Sequence, residues 1–317
     1  MSLSGLAAMN PFTRQAARSV ASLGEARLIG AIRRWLGQAS PPSPRGIGDD
    51  CAVLRPSRMV QLLTVDSIVH GRHFDARVRA RDAGAKLLKR NLSDLAAMGA
   101  KPTAAVVALT LAPEVRLDWL EGFYRGMAAA ARRYGVPIVG GDVAQSGGFA
   151  ASLTLLGQAC GPRVLTRKGA RPGDWICVSG LLGASLGTGH HFRFEPRLGE
   201  GAWLARRPEV RSMMDLSDGL AKDLPALTPP NAEAALFPLA IPRRRGAGLE
   251  AAICDGEDYE LLLSVAEGAD LTALFGAWHR SFPGIRLTCI GRFVPRGRAA
   301  PGTIRLDKYR GYEHLRR

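Results

Sequence analysis

Residues 91–100 read Asn-Leu-Ser-Asp-Leu-Ala-Ala-Met-Gly-Ala, and this stretch carries the strongest indication of the fold. Its leucines continue an apolar stripe at helical spacing, so the pattern predicts a helix that Asp82 caps, that runs to Met98 and that Gly99 ends. The next segment, residues 103–111, is apolar and β-branched and predicts a buried strand. A helix that leads directly into a buried strand indicates a sheet covered by helices.

The same periodicities predict further elements on both sides of this segment. Helices are expected over 25–36, from Asp118 to Gly135 and from Asp218 to Leu224, and strands over 60–65, 136–139, 151–160, 175–179 and 285–290. Glu121 follows Asp118 at the spacing of a capping box. Residues 180–200 are typical of a loop rich in Gly and His, while residues 257–265 fit a helix or a strand.

Strands and helices alternate in both halves of the chain, which has 317 residues. That length suits two domains, and Gly161 with Pro162 marks the boundary between them. We therefore predict an α+β fold of the α/β-sandwich type. It has two domains, residues 1–162 and 163–317, each a mixed sheet covered by helices.

Composition excludes several classes of protein. Hydrophobic residues make up 46% of the chain and charged residues 22%, which excludes a mostly disordered protein. The longest apolar run, residues 104–112, is far shorter than the roughly 18 residues of a membrane helix, so no membrane partner is expected. Residues 1–21 hold no secretory signal. Five scattered cysteines without a C-x-x-C pair fit reduced thiols in the cytoplasm.

The net charge of +15 has two interpretations. Arginine grips phosphate in a bidentate fork, so an anionic partner would explain the excess. A coding preference for arginine, together with solubility, also explains the excess and is the favoured interpretation. The basic residues are spread along the chain, and no aromatic-interleaved signature of RNA binding accompanies them.

Carboxylates beside glycines, at the ends of apolar segments, indicate the chemistry. Any one of them would fit a helix cap, a turn or a surface ion pair, so the argument depends on the group. Buried carboxylates are costly unless they are paired or bind metal, and oxygen ligands without His or Cys suit Mg²⁺, which commonly serves phosphates. The group comprises Asp49 and Asp50, Asp66, Asp94, Asp142, Asp215 and Asp218, and the pair Glu257 and Asp258.

Common catalytic signatures are missing from the sequence. It has no Walker P-loop and no protein-kinase motif set. His190 and His191 lack a carboxylate at zinc-protease spacing, and Ser217 lacks a credible His/Asp triad.

Seven motifs, in order from about residue 25 to the C-terminus, resemble those of thiamine-monophosphate kinase. They are residues 46–52, 66–74, 91–100, 140–142, 165–174, 215–220 and 256–261. The family belongs to a superfamily with aminoimidazole ribonucleotide synthetase, selenophosphate synthetase and a hydrogenase-maturation protein, which share an ATP-using two-domain fold.

Carried over position by position, the resemblance assigns three sets of residues. The metal-binding set is Asp50, Asp66, Asp94, Asp142, Asp215 and Asp218. Val65 stands where the family usually has a hydroxyl residue, so Thr64 is the substitute ligand. The ATP-contacting set is Gly141, Asp142, Arg167, Ser217 and Tyr124, of which Tyr124 also fits a packed helix residue. The substrate-contacting set is His73, Glu257 and Tyr312, the last as an aromatic that stacks on the thiamine ring.

The resemblance implies ATP-dependent phosphorylation of thiamine monophosphate to thiamine diphosphate in thiamine biosynthesis, with several Mg²⁺ ions and ATP as co-substrate. The nucleophile is then a phosphate oxygen that is already anionic, so no residue is expected to act as general base. The resemblance also implies a cytoplasmic homodimer. Domain 1–162 would bind ATP and Mg²⁺ and form the dimer, and domain 163–317 would complete the active site.

Two alternatives stay open. Another ATP-using member of the superfamily would keep the fold and change the substrate, although residues 165–174 and 256–261 favour the thiamine kinase. A basic nucleic-acid-binding protein on the same fold is disfavoured, because clustered carboxylates repel a phosphate backbone unless metals intervene.

Overall fold

The structure of the chain, a computed structural model, describes residues 9–313. The chain divides into two compact units. The first comprises the chain up to Leu92 together with Pro102–Gln158, and the second comprises Ser93–Lys101 and the chain from Ala159 onwards. The second unit therefore takes a short segment from the first half of the sequence.

The first unit is built on a four-stranded mixed sheet. In chain order its elements are α1 (Glu25–Leu36), β1 (Gln61–Val69), α2 (Ala80–Ala97), β2 (Ala100–Leu111), α3 (Leu117–Tyr134), β3 (Ile138–Gln145) and β4 (Phe149–Ala159). The strand order is β1-β4-β2-β3, with β1 antiparallel to β4 and β2 parallel to β3. The end of α2 and the outermost residues of β2 and β4 fall in the second unit.

Aromatic side chains join α3 to one face of this sheet. Along β4 alternate residues are buried, as expected of a strand with one covered face. The ring of Phe149 on β4 lies 4.9 Å from that of Trp119 and 5.4 Å from that of Phe123, measured between centroids. Gly84 lets α2 approach α3, because a Cβ there would lie 1.9 Å from the carbonyl oxygen of Phe123.

The other face of the sheet carries exposed apolar side chains. Leu63 and Val65 on β1 are 71% and 60% exposed, and Val106 on β2 is 38% exposed. In the β1–β4 register Leu63 lies opposite Leu156, and opposite residues of an antiparallel pair share a face. We call Leu63, Val65 and Val106 the exposed sheet face.

The second unit is built on a five-stranded sheet in which every neighbouring pair is antiparallel. Its elements are β5 (Trp175–Ser179), α4 (Ser185–Thr188), α5 (His190–Arg193), α6 (Leu198–Leu204), β6 (Val210–Asp215), α7 (Leu220–Leu227), β7 (Ala232–Leu236), α8 (Leu249–Cys254), β8 (Leu261–Val265), α9 (Leu271–Ser281) and β9 (Leu287–Pro295). The strand order is β6-β8-β5-β9-β7.

Helices cover both faces of this second sheet. Successive residues of β5 point to opposite faces, and Ile176 packs in a cluster with Leu224 of α7 while Cys177 packs in another with Trp278 of α9. β8, which lies inside the sheet, is buried along its whole length. The α+β prediction, with two sheets and covering helices, is confirmed. The prediction that both sheets are mixed is wrong for the second, which is antiparallel throughout.

Two predicted elements, the helix over 25–36 and the strand over 175–179, coincide with α1 and β5. Elsewhere the strands are longer than predicted, so Asp66 and Asp142 lie within β1 and β3 rather than after them. The segment predicted as a loop over 180–200 contains α4, α5 and the start of α6. In the ambiguous segment over 257–265, only its last five residues form a strand, β8.

Gly135 ends α3 as predicted, but the predicted N-terminal caps are wrong. Asp82 lies inside the first turn of α2 rather than before it. α3 follows Arg116, whose guanidinium donates to the carboxylate of Asp118. α7 follows Gly219, and the side chain of Asp218 is one residue too early to cap it.

All five cysteines lie in the described part of the chain and are free thiols. Across residues 9–313, no helix has both the length and the apolar character needed to cross a bilayer.

Candidate active site

A cleft opens on the first unit, with a volume of about 490 Å³ when the solvent-filled space at its mouth is included. Three residues assigned to ATP line it: Tyr124 from α3, with Gly141 and Asp142 from β3. Apolar side chains of α1, including Ile29 and Ile32, form another part of its wall. The cleft therefore combines an apolar wall, suited to a flat ring, with two carboxylate residues, Glu25 and Asp142.

The glycine at position 141 is required by strand packing. A Cβ there would lie 2.2 Å from the carbonyl oxygen of Val107, its partner on the parallel strand β2. The next residue, Asp142, pairs with Ala108 and is exposed. Tyr124 is only 2% exposed, and burial raises the pKa of its hydroxyl. It is a packed helix residue that also borders the cleft.

Thr64 and Asp66 share one face of β1, since they are two residues apart on a strand. Val65 points the other way, into the exposed sheet face. The carboxylate of Asp66 pairs with the guanidinium of Arg90 at 3.2 Å, and Arg90 also donates to the carbonyl oxygen of Ser67 at 2.7 Å. The guanidinium of Arg90 on α2 therefore holds the carboxylate of Asp66 in place.

The imidazole of His73 has a fixed orientation. Its Nδ1 accepts a hydrogen bond from the backbone N–H of Val69 at 3.0 Å, so the neutral ring carries its proton on Nε2. The buried Lys86 donates to the carbonyl oxygen of His73 at 3.3 Å. His73 can therefore donate from Nε2 to an anion. Asp50 is exposed in the irregular segment that follows Gly48.

In the second unit, Asp215 ends β6 and receives a hydrogen bond from α2. The hydroxyl of Ser93 donates to Oδ2 of Asp215 at 2.6 Å. Asp94, the next residue of α2, is half-buried. The segment 93–101 thus brings Asp94 into the same unit as Asp215, which the sequence pattern alone did not indicate.

Two turns interlock beside Asp215. The backbone N–H of Glu257 donates to the carbonyl oxygen of Ser217 at 2.7 Å. A Cβ at Gly256 would lie 2.7 Å from that same oxygen, so the close approach requires glycine. The N–H of Tyr312 donates to the carbonyl oxygen of Asp218 at 2.9 Å, which places this half-exposed aromatic beside the turn.

Arg167 reaches this unit on an extended segment. The neighbouring carbonyl of Thr166 accepts from the N–H of Met213 on β6 at 3.0 Å. Burial raises the pKa of the Asp223 carboxyl, and the positive charge of the exposed Arg167 offsets part of that rise. An exposed guanidinium at this position can donate hydrogen bonds to an anion.

Asp223 was not identified from the sequence. Its Oδ2 accepts from the backbone N–H groups of Ser217 and Asp218 at 3.0 and 2.9 Å, so it holds the turn that carries both residues. Burial raises the pKa of Asp223 to about 7. The signal available in the sequence was an acidic residue in the first turn of a helix that begins directly after a glycine.

The short helix α5 and the residue after it supply a second group that the sequence did not reveal. Nδ1 of His191 lies 2.8 Å from Oε2 of Glu257, and both side chains are largely buried. The ring of Phe194 stacks on that of Tyr259 at a centroid distance of 4.0 Å. Glu257 and Tyr259 have φ angles of 62° and 52°, a costly conformation for residues other than glycine.

Burial of His190 predicts that the free energy of unfolding falls at acidic pH. Burial lowers the pKa of its imidazole to about 4, while an unfolded histidine titrates near 6.5. The unfolded chain therefore takes up this proton first, and stability present above pH 6.5 is lost as the pH falls towards 4. Between pH 7 and pH 4.5, we expect the wild type to lose about 2 kcal/mol more unfolding free energy than His190→Asn. Equal losses in denaturant titrations would contradict this.

The donor chemistry fits Mg²⁺. Over residues 9–313, no three His, Cys, Asp or Glu side chains come together as a ready metal centre. Mg²⁺ is commonly held by one or two carboxylates together with substrate phosphates and water, so such a cluster is not required. The exposed carboxylate of Asp142 beside the cleft has this character.

Comparison with known proteins gives matches along most of the chain. Residues 48–159 match the family described as AIR synthase related protein, N-terminal domain. The thiamine-monophosphate kinase of Escherichia coli K12 is 34% identical, and the match covers 85% of this chain and 91% of that protein.

Two solved structures are similar over most of the chain. The crystal structure of thiamine-monophosphate kinase from Stenotrophomonas maltophilia K279a superposes with a TM-score of 0.72 at 32% identity, covering 88% of this chain and 98% of that one. A structure of AaThiL complexed with AMPPCP and TMP has a TM-score of 0.68 at 26% identity, covering 96% of this chain and 100% of that one.

Proposed function

This chain belongs to the thiamine-monophosphate kinase family, and from that membership we propose that it transfers the terminal phosphate of ATP to thiamine monophosphate, producing thiamine diphosphate. The observation that carries the proposal is the similarity to such kinases, which extends through both units. AaThiL, to which the chain is similar, has been solved with an ATP analogue and TMP.

The reaction needs positioning and charge neutralisation more than proton transfer. The attacking group is a phosphate oxygen that is already anionic near neutral pH, so no side chain has to remove a proton. Mg²⁺, when bound, reduces the repulsion between the two phosphate-bearing reactants and aligns them for in-line transfer.

Each unit contributes residues of a distinct kind. In the first unit, the cleft beside Tyr124, Gly141 and Asp142 receives ATP. Arg167 and Ser217, the other residues proposed to contact ATP, belong to the second unit. Oxygen ligands for several Mg²⁺ ions come from a set of acids and one hydroxyl: Asp50, Thr64, Asp66, Asp94, Asp142, Asp215 and Asp218.

Three residues serve thiamine monophosphate in this proposal. His73 donates from Nε2 to its phosphate, since Nδ1 is occupied by the backbone of Val69. Glu257 offers a carboxylate to the thiamine rings, and Tyr312 offers a half-exposed aromatic face. The compartment is the cytoplasm, with which five free thiols are consistent.

The test is an assay of the purified full-length chain with ATP, MgCl₂ and thiamine monophosphate, followed by chromatography. We expect thiamine diphosphate and ADP in equal amounts, and none of either without the acceptor. Unphosphorylated thiamine is the control acceptor, because it has a hydroxyl group but lacks the phosphate oxygen that attacks ATP in the proposed reaction. Phosphorylation of thiamine alone, or ATP consumption without thiamine diphosphate, would overturn the proposal.

We also propose a homodimer formed through the first unit. The support is the exposed sheet face, where Leu63 and Val65 are more than half exposed. Apolar side chains that lie together on a surface are typical of protein interfaces. In light-scattering measurements, Leu63→Asp combined with Val65→Asp should halve the molecular mass of the wild type. Leu239→Asp, at a residue 98% exposed in the second unit, should leave it unchanged. A dimeric double variant, or a monomeric wild type, would contradict this prediction.

A further inference from the structure

The carboxylate of Glu257 is held by side chains from two directions. Oε2 lies 2.8 Å from Nδ1 of His191, and Oε1 accepts from the hydroxyl of Tyr259 at 3.4 Å. The ring of Tyr259 in turn stacks on Phe194, so both contacts depend on the segment 190–194. The side chain of His191 is 10% exposed and that of Glu257 is 19% exposed, so water competes little for their contact.

The backbone at this point is strained as well as fixed. Glu257 lies in the left-handed region with φ at 62°, and its N–H is bound to the carbonyl oxygen of Ser217. Strain of this kind persists only where the surrounding contacts determine the conformation, and it concentrates at functional sites. The backbone of Glu257 therefore has a fixed conformation, and the contact with His191 fixes the orientation of its carboxylate as well.

We propose that His191 is a positioning residue for substrate recognition: it orients the carboxylate of Glu257 towards the thiamine moiety. This inference rests on the proposed function. Thiamine carries a cationic thiazolium ring and an aminopyrimidine whose amino group donates hydrogen bonds, and one carboxylate complements both features. His191 acts through Glu257 and contributes nothing to ATP binding.

The experiment measures steady-state kinetics with each substrate varied in turn. Because a hydrogen bond to a charged group is lost, we expect His191→Phe to raise KM for thiamine monophosphate about tenfold. KM for ATP and kcat should stay within about twofold. His191→Asn places an amide N–H near the position of Nδ1 and should restore most of the affinity. His279→Phe, at an exposed position on α9, is the matched control.

A double-mutant cycle separates this role from general packing. If His191 acts through Glu257, then His191→Phe should change KM less than about twofold in a Glu257→Gln background. Additive effects in the cycle, or an unchanged KM in folded His191→Phe, would overturn the inference while thiamine monophosphate kinase activity stands. A wild type without that activity would overturn the proposed function and this inference together. Cooperative thermal unfolding of each variant verifies that it is folded.

Discussion

Asp142→Asn should lower kcat at least about 100-fold, the scale seen when one electrostatic contact to a developing charge is removed. The substitution keeps the shape of the side chain and removes its charge, which is the property that holds a divalent ion against phosphate oxygens. Asp142 is exposed at its position on β3, so the fold should tolerate asparagine. The measurement is turnover at saturating ATP and thiamine monophosphate.

Two further measurements make this result specific. Asp307→Asn makes the same chemical change at an exposed residue outside the site and should retain full activity. Calorimetry should show that Mg²⁺ tightens ATP binding to the wild type and does so much less in Asp142→Asn. Full turnover by a well-folded Asp142→Asn protein would remove Asp142 from the metal-binding set.

Gly201→Ala should destabilise the second unit by about 3 kcal/mol, at the upper end of overpacking effects. A Cβ at position 201 would lie 1.9 Å from the carbonyl oxygen of Ala96, and backbone cannot swing aside as a flexible side chain can. The expected result is a lower midpoint in urea unfolding. The transition is monitored by tryptophan fluorescence, to which Trp203 in the same helix contributes.

Gly199 provides the matched control within α6. A Cβ there would meet only the ring of Phe282, at 3.8 Å, which is ordinary contact. Gly199→Ala should leave the midpoint unchanged or raise it slightly, because alanine favours helix by up to about 1 kcal/mol. Equal midpoints for the two variants would mean that α6 and the segment containing Ala96 do not pack as described.

Local sequence patterns correctly predicted the helices and strands whose own apolar spacing identifies them. α1 has a regular apolar face, and β5 is a short apolar run that follows a turn, so both were located to the residue. The predicted N-terminal caps are wrong because the side chains or backbone N–H groups concerned bind other partners. Glu121 pairs with Arg125 one turn further on. The N–H of Asp218 is bound to Asp223, so the turn is held from inside the helix.

The candidate site residues were proposed from their residue types, but the sequence did not predict the contacts that support them. Clustered acids beside glycines are visible in a sequence because the chemistry restricts them to few residue types. His191 and Glu257 are far apart in sequence, and nothing in either local pattern indicates that their side chains meet. The same holds for Ser93 and Asp215. Such contacts depend on how distant segments pack, which periodicity does not describe.

The path of residues 93–101 affects the order in which the protein can fold during synthesis. Ala96 and Ala97 pack in the core that contains Leu204 and Trp278, and the carbonyl oxygen of Gly99 accepts from the N–H of Cys160. The ribosome releases this segment long before most of its partners exist. The nascent chain must therefore keep an apolar segment available until the C-terminal half emerges, and a gene cut at Ala159 would deprive the later half of part of its interior.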